Sequence, residues 1–302
     1  MYNIENIYWK ASFDSKGAEL RSLFHKPTSQ ELMWQADPTY WSKTSPVLFP
    51  IVGALKGNTY TYGGKYYTMS RHGFARDSTF EIQRHEDHLI EFVLRDDGDT
   101  FSIYPFAFDL KVLYGLSENG LTCTYQVNNY SDDSPIFFSL GGHPAFTIRV
   151  DDRIKYDDYR LIFPDDRLLS VHKLQDNLIN MDSQKLPLEE NRLALSYSLF
   201  YDDALIIKDL KSRAVILSNN QNEQQLSFAF QGFEYFGLWA AKNANFICLE
   251  PWAGIADCEY HDQQLVNKKG IVNLAPGNTW EARWQVDFVH TTNESRSFLK
   301  KI

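Results

Sequence analysis

The 302-residue chain has little of what marks several large protein classes. It carries only three cysteines, Cys123, Cys248 and Cys258, and no two form a C-x-x-C pair. An odd, scattered set is no disulfide framework, so a reducing, cytoplasmic compartment is expected. No apolar run approaches the roughly 18 residues that a membrane helix needs. The best stretch, 47–55, is short and contains Pro50. The opening residues carry Glu5 and Lys10 and do not read as a secretory signal. Positive charge is in deficit: 30 Lys and Arg against 39 Asp and Glu give a formal net charge of −9. Such a chain repels polyanions, which argues against nucleic acid and anionic membrane as partners. Among the eight histidines there is no H-x-x-x-H or H-E-x-x-H, so neither a metal nor another cofactor is expected.

Aromatic residues are plentiful: 21 Phe, 17 Tyr and 7 Trp. They suit a pleated, half-buried surface, and their faces make walls for the C–H faces of sugars. Short β-rich runs recur at 58–69, 80–83, 89–94, 108–114, 121–128, 136–140, 214–217, 226–230, 246–249 and 280–288. Turn residues separate several of them, including Gly63-Gly64, 96–99, 118–120 and Asn128-Asn129, and Pro276-Gly277-Asn278 leads into the last run. Many strands without alternating helices predict an all-β protein, a large antiparallel sandwich or barrel, with 1–302 as one domain. Helical turns are expected only near 42–44 and 257–263. The polar stretch 165–193 reads as a loop rim, and the tail from about 291 as a segment outside the sandwich, a short helix at most.

Three clusters carry candidate chemistry. His143 follows an apolar strand and two glycines, which let backbone approach a ligand closely, and precedes Pro144, which restricts its backbone. A histidine so held is suited to proton transfer or, more plainly, to a turn in the core. Glu250 closes the apolar run 246–249 and precedes Pro251-Trp252. Burial there would raise its pKa toward that of a useful base, with Trp252 as a wall. The run Ser70-Arg71-His72-Gly73-Phe74-Ala75-Arg76-Asp77 can orient hydroxyls or grip a phosphate, or its Arg76–Asp77 pair can simply lock a loop. Adjacent Asp202 and Asp203 enter a strand at Ala204, where paired surface acids are the plain alternative.

Taken in order, the segments 17–23, 31–34, 45–53, 71–76, 141–146, 203–206 and 248–252 resemble the galactose mutarotase-like (aldose 1-epimerase) family, its branch associated with lactose and galactose metabolism. The resemblance covers nearly the whole chain. It implies a galactose mutarotase-like supersandwich and cofactor-free interconversion of hexose anomers. It implies His143 as general acid, Glu250 as general base, and His72 and Asp203 (or Asp202) as sugar ligands. Arg71, Arg76 and Trp252 would complete the binding set. Lys56 stands where the family's galactose mutarotases carry an arginine, while Arg76 is similar to a phosphate-holding arginine of the hexose-6-phosphate branch. The expected partner is a monosaccharide, and the expected assembly a monomer or homodimer. Two other readings are a non-catalytic sugar-binding protein walled by Trp239, Trp252, Phe146 and Arg76, and a glycoside hydrolase pairing Glu250 with Asp203 or Asp257, whose carboxylates would stand about 5–10 Å apart.

Overall fold

The computed structural model describes residues 1–219 and 224–290. Two large antiparallel sheets dominate. One has nine strands, in the order Arg192–Ala194, Tyr159–Ile162, Ala214–Asn219, Gln224–Gln231, Thr279–His290, Gly120–Asn129, Phe108–Leu116, Leu89–Arg95 and Glu81–Glu86. The other runs Gln184–Pro187, Leu168–His172, Leu205–Lys208, Tyr235–Trp239, Phe246–Ala253, Leu140–Gly142 and Val47–Leu48. Ala145–Thr147 pairs with the same Phe246–Ala253 strand, opposite Phe246 to Cys248. A four-stranded sheet, Tyr2–Glu5 to Gln30–Glu31, packs beside them.

Alternation along the strands explains how the two large sheets meet. Phe228 and Trp284 of the nine-stranded sheet stack at 5.5 Å, and Phe230 stacks on Phe236 of the opposing sheet at 4.7 Å. Trp284 is fully buried and donates from Nε1 to the Tyr125 hydroxyl at 3.0 Å. Phe146 meets Phe228 in this interior, so it is a core residue and not the sugar wall expected of it.

Each strand run read from the sequence lies on an observed strand. The 58–69 run is the hairpin Thr59–Tyr62 and Lys65–Thr68, with positive φ at both Gly63 and Gly64, as a two-residue hairpin turn requires. Other expectations need correction. The 96–99 turn opens a short helix, Gly98–Ile103, because the Asp97 side chain accepts the Thr100 N–H. No helix forms at 42–44 or 257–263, the latter holding only one hydrogen-bonded turn, Cys258 to His261; a 3-10 helix falls at Leu265–Asn267. The 165–193 stretch is no loop: it contributes Leu168–His172 and Gln184–Pro187 to the edge of the second large sheet, and a small hairpin, Leu174–Gln175 with Leu178–Ile179. Its strands look polar because Gln184–Pro187 buries neither face. The expected tail from 291 lies outside the described residues. No described helix is long and apolar enough to cross a membrane.

Candidate active site

Strand pairing builds the site. The Phe246–Ala253 strand sends Ile247 and Leu249 into the core, while Glu250 and Trp252 line a pocket of about 330 Å³ on the opposite face. On the neighbouring strand, Trp239 lines the same pocket and Phe236 faces the core. On Leu205–Lys208, Ile206 points to the pocket, with Asp203 and Ala204 just before the strand. His143 lies between two short strands, Leu140–Gly142 and Ala145–Thr147, that both pair with the strand carrying Glu250. Residues 107 positions apart in sequence therefore meet: His143 Nε2 lies 3.1 Å from Glu250 Oε2.

Glycines shape this wall. The glycines before His143 were expected to let a ligand approach; instead they admit tryptophans. A Cβ on Gly141 would sit 2.5 Å from the Trp252 ring, and one on Gly237, across the strand, 2.7 Å from its far edge. Trp252 thus lies flat between two side-chain-free positions. A Cβ on Gly142 would come 2.9 Å from both Trp284 and Tyr125 inside the sandwich.

The imidazole of His143 sits in an aromatic corner. Trp41 stacks on it at 4.9 Å and Trp239 meets it edge-on at 5.7 Å. This burial, with the charges of Arg71 and Arg76 adding to it, holds the His143 pKa down to about 3. Burial drives Glu250 the other way, well above the ordinary carboxylate range; Arg71 opposes the shift and Asp203 reinforces it. Both carboxylate oxygens of Glu250 and Nδ1 of His143 are buried without a well-formed hydrogen bond. Unmet polar capacity of this kind marks groups kept for a ligand.

Around this pair stand His72, Arg71, Arg76 and Asp203. His72 and Asp203 have left-handed backbones, φ 70° and 78°, which cost energy in residues other than glycine and concentrate at functional sites. Arg71 lies 3.7 Å from Asp203 and donates to Asn177 Oδ1 at 2.8 Å. Arg76 lines the pocket while its Nη2 donates to the Arg71 carbonyl at 2.9 Å and its Nε lies 3.7 Å from Asp77. The segment thus borders the pocket and also pairs Arg76 with Asp77. Of the two acids, Asp203 lines the pocket, whereas Asp202 is exposed and paired with Lys173.

Lys56 is not brought there. Its ammonium donates to the His261 carbonyl at 3.3 Å, and its backbone N–H binds Asp257 behind the pocket wall. Asp257 is itself fully buried against Lys268 at 2.8 Å, so it cannot serve as the second carboxylate of a hydrolase. Sequence reasoning missed Trp41, Leu174, Ile206 and Gly53 as pocket residues. Trp41 carried no signal, since it belongs to an irregular segment; Ile206 did, as the position two after Ala204, which lines the pocket too.

His143, Cys248 and Glu250 offer donor atoms within 4.8 Å of one another. Burial raises both the Cys248 thiol and Glu250 well above their ordinary values, with Glu250 adding to the shift at Cys248. As they stand the three groups favour holding protons, which a metal ion would have to displace in order to bind.

The two sheets form the galactose mutarotase-like supersandwich, and the chain belongs to the aldose 1-epimerase family, whose profile matches residues 1–284. Among its relatives, it is similar to protein LacX (chromosomal) of Lactococcus lactis subsp. lactis, 30% identical over 296 residues that cover 95% of this chain and 99% of that one. A galactose mutarotase related enzyme from Lactobacillus acidophilus superimposes with a TM-score of 0.90 at 35% identity, covering 97% of this chain and 98% of the other. A galactose mutarotase-like protein from Lactobacillus casei ATCC 334 gives 0.90 at 30% identity, covering 96% and 100%.

Proposed function

We propose that the protein is a cofactor-independent mutarotase that interconverts the α and β anomers of a hexose. The observation that carries this reading is the 3.1 Å contact between His143 Nε2 and Glu250 Oε2. The hydroxyl and ring oxygens on an anomeric carbon are separated by a single bond angle. A group that removes a proton from one and a group that gives a proton to the other must therefore stand side by side. With the pair's proton on His143, Glu250 takes the C1 hydroxyl proton while His143 protonates the ring oxygen, and the ring opens to the aldehyde. Rotation about C1–C2 turns the other carbonyl face to the pair, and the reverse transfers close the ring. The shifts put that one proton on Glu250 at rest, so it must pass to His143 across the 3.1 Å contact before the ring opens, and it titrates as a property of the pair.

Each such group contributes about 10²–10⁴-fold in rate. Polarimetry on freshly dissolved α-galactose and α-glucose should show losses of that order in His143→Ala and Glu250→Gln. Wild-type rates in both variants would remove the pair from the chemistry. The pocket also supports a second substrate reading, a hexose 6-phosphate, because Arg71 and Arg76 both border it and Arg76 Nε is buried without a well-formed hydrogen bond. The same assay on the two 6-phosphates decides between them: a higher kcat/KM for the phosphorylated sugars favours the second reading, a lower one the first.

A further inference from the structure

His72 presents a conflict that its surroundings resolve. Two N–H groups point at its ring: the backbone N–H of Gly53 reaches Nδ1 at 3.1 Å, and Arg71 Nε reaches Nε2 at 3.1 Å. A neutral imidazole accepts at one nitrogen only. The ring is neutral near pH 7, since burial, then the neighbouring His143, Arg71 and Arg76, lower its pKa well below 6.5. One of the two contacts must give way.

The Gly53 contact is the fixed one. Gly53 and His72 bracket each other, because the His72 N–H also donates to the Gly53 carbonyl at 2.9 Å. Gly53 has φ +72°, and a Cβ there would lie 2.5 Å from the Ala256 methyl, so neither another residue nor another position is open to it. The bracket is anchored from behind. The Ala54 carbonyl accepts the Asp257 N–H at 2.9 Å, the Lys56 N–H binds Asp257 Oδ2 at 2.9 Å, and the Lys268 ammonium holds Asp257 Oδ1 at 2.8 Å. Stripping the buried Gly53 N–H of its acceptor would leave it without water to turn to. Arg71, by contrast, is 38% exposed at its side chain and already has Asn177 and Asp203 as partners.

We propose that Gly53 is a positioning residue that locks His72 in the Nε2–H tautomer, so that His72 meets the bound sugar as a hydrogen-bond donor. Arg71 then turns away from the ring when the pocket fills, and the ligand must present a lone pair, from a hydroxyl or an ether oxygen, to Nε2. The identity of that ligand rests on the mutarotase reading; the tautomer does not.

Two measurements test it on the full-length protein. Proton–nitrogen multiple-bond correlation spectra of histidine-labelled protein, with His72 assigned by its loss in His72→Gln, should give a protonated Nε2 and a bare Nδ1. A protonated Nδ1, or a fast average of the two forms, overturns the proposal. This spectrum is read without turnover, so an inactive wild-type protein speaks against the enzyme reading alone. The second arm compares two amides. Gln can carry an N–H donor to the Nε2 position, whereas Asn reaches only the Nδ1 position. His72→Gln should hold kcat/KM within about tenfold of wild type and His72→Asn should lose about a hundredfold, the scale of one hydrogen bond to a buried partner. Equal losses, or better activity in Asn, overturn the donor role. Gly53→Ala, where it folds, should abolish the single-tautomer spectrum.

Discussion

At the residue scale, burial disfavours the charged form of both His143 and Glu250. The strand that carries Glu250 has no exposed residue, and the indoles of Trp41 and Trp239 leave little water around His143. Such a site costs stability. Glu250 has its folded pKa raised above the ordinary 4.5, so the stability it contributes is complete below that pH and is lost as pH rises toward the folded value. Glu250→Gln removes the dependence. The variant should melt higher than wild type by the equivalent of about 1–2 kcal/mol at neutral pH, and the gain should shrink toward pH 4.5. Calorimetric melts across that range check this; a Gln variant that is less stable at neutral pH would contradict the shift. Both residues were legible in the sequence for one reason: each ends an apolar run and is followed by proline. Trp41 was not, because contact with His143 is made by an irregular segment that no periodicity marks.

At the scale of elements, the pocket floor depends on what two strands lack. Gly237 stands opposite Glu250 in the register and Gly141 opposite Trp252, and together they leave the indole its place. Gly237→Ala puts a methyl 2.7 Å from that ring edge, so Trp252 must lift into the pocket. We expect the apparent sugar affinity to fall about tenfold or more, with the far-ultraviolet circular dichroism unchanged, since overpacking at one site costs about 1–3 kcal/mol. Unaltered KM in this variant would mean that Trp252 is not part of the binding surface. Here the sequence misled in an informative way. A glycine pair beside a candidate histidine read as room for a ligand; it is room for the tryptophans. In 165–193, Gln184–Pro187 went unread because it buries no residue and Leu168–His172 because it is short, with only Leu169 and Val171 buried, whereas Asp203 could be told from Asp202 only by its turn into the pocket.

At the scale of the whole molecule, the two large sheets share one aromatic interior. Trp284 stacks on Phe228, bonds Tyr125 and fills the space left by Gly142, directly behind the strand end that carries His143. If the chain folds as the single unit expected from its sequence, a lesion there must unfold the pocket too. Trp284→Ala should cost about 3–5 kcal/mol. Its thermal transition should coincide whether followed by backbone signal or by the near-ultraviolet signal of the pocket tryptophans. Two separated transitions would mean that the sheets melt independently. The all-β architecture was readable at this scale because alternation repeats along so many runs; which sheet each run joins was not, since partners lie far apart in sequence.

Glu250 sits within a strand and His143 at the junction of two short strands that pair with it, whereas Arg71, His72, Arg76 and Asp203 belong to the connections around the sheet's rim. On the proposed mutarotase reading, reaction and recognition therefore come from different parts of the architecture. Substitutions in the rim can retune which hexose is admitted while the hydrogen-bonded ladder keeps acid and base in register, so a lineage of such proteins can diversify its diet without reinventing its chemistry.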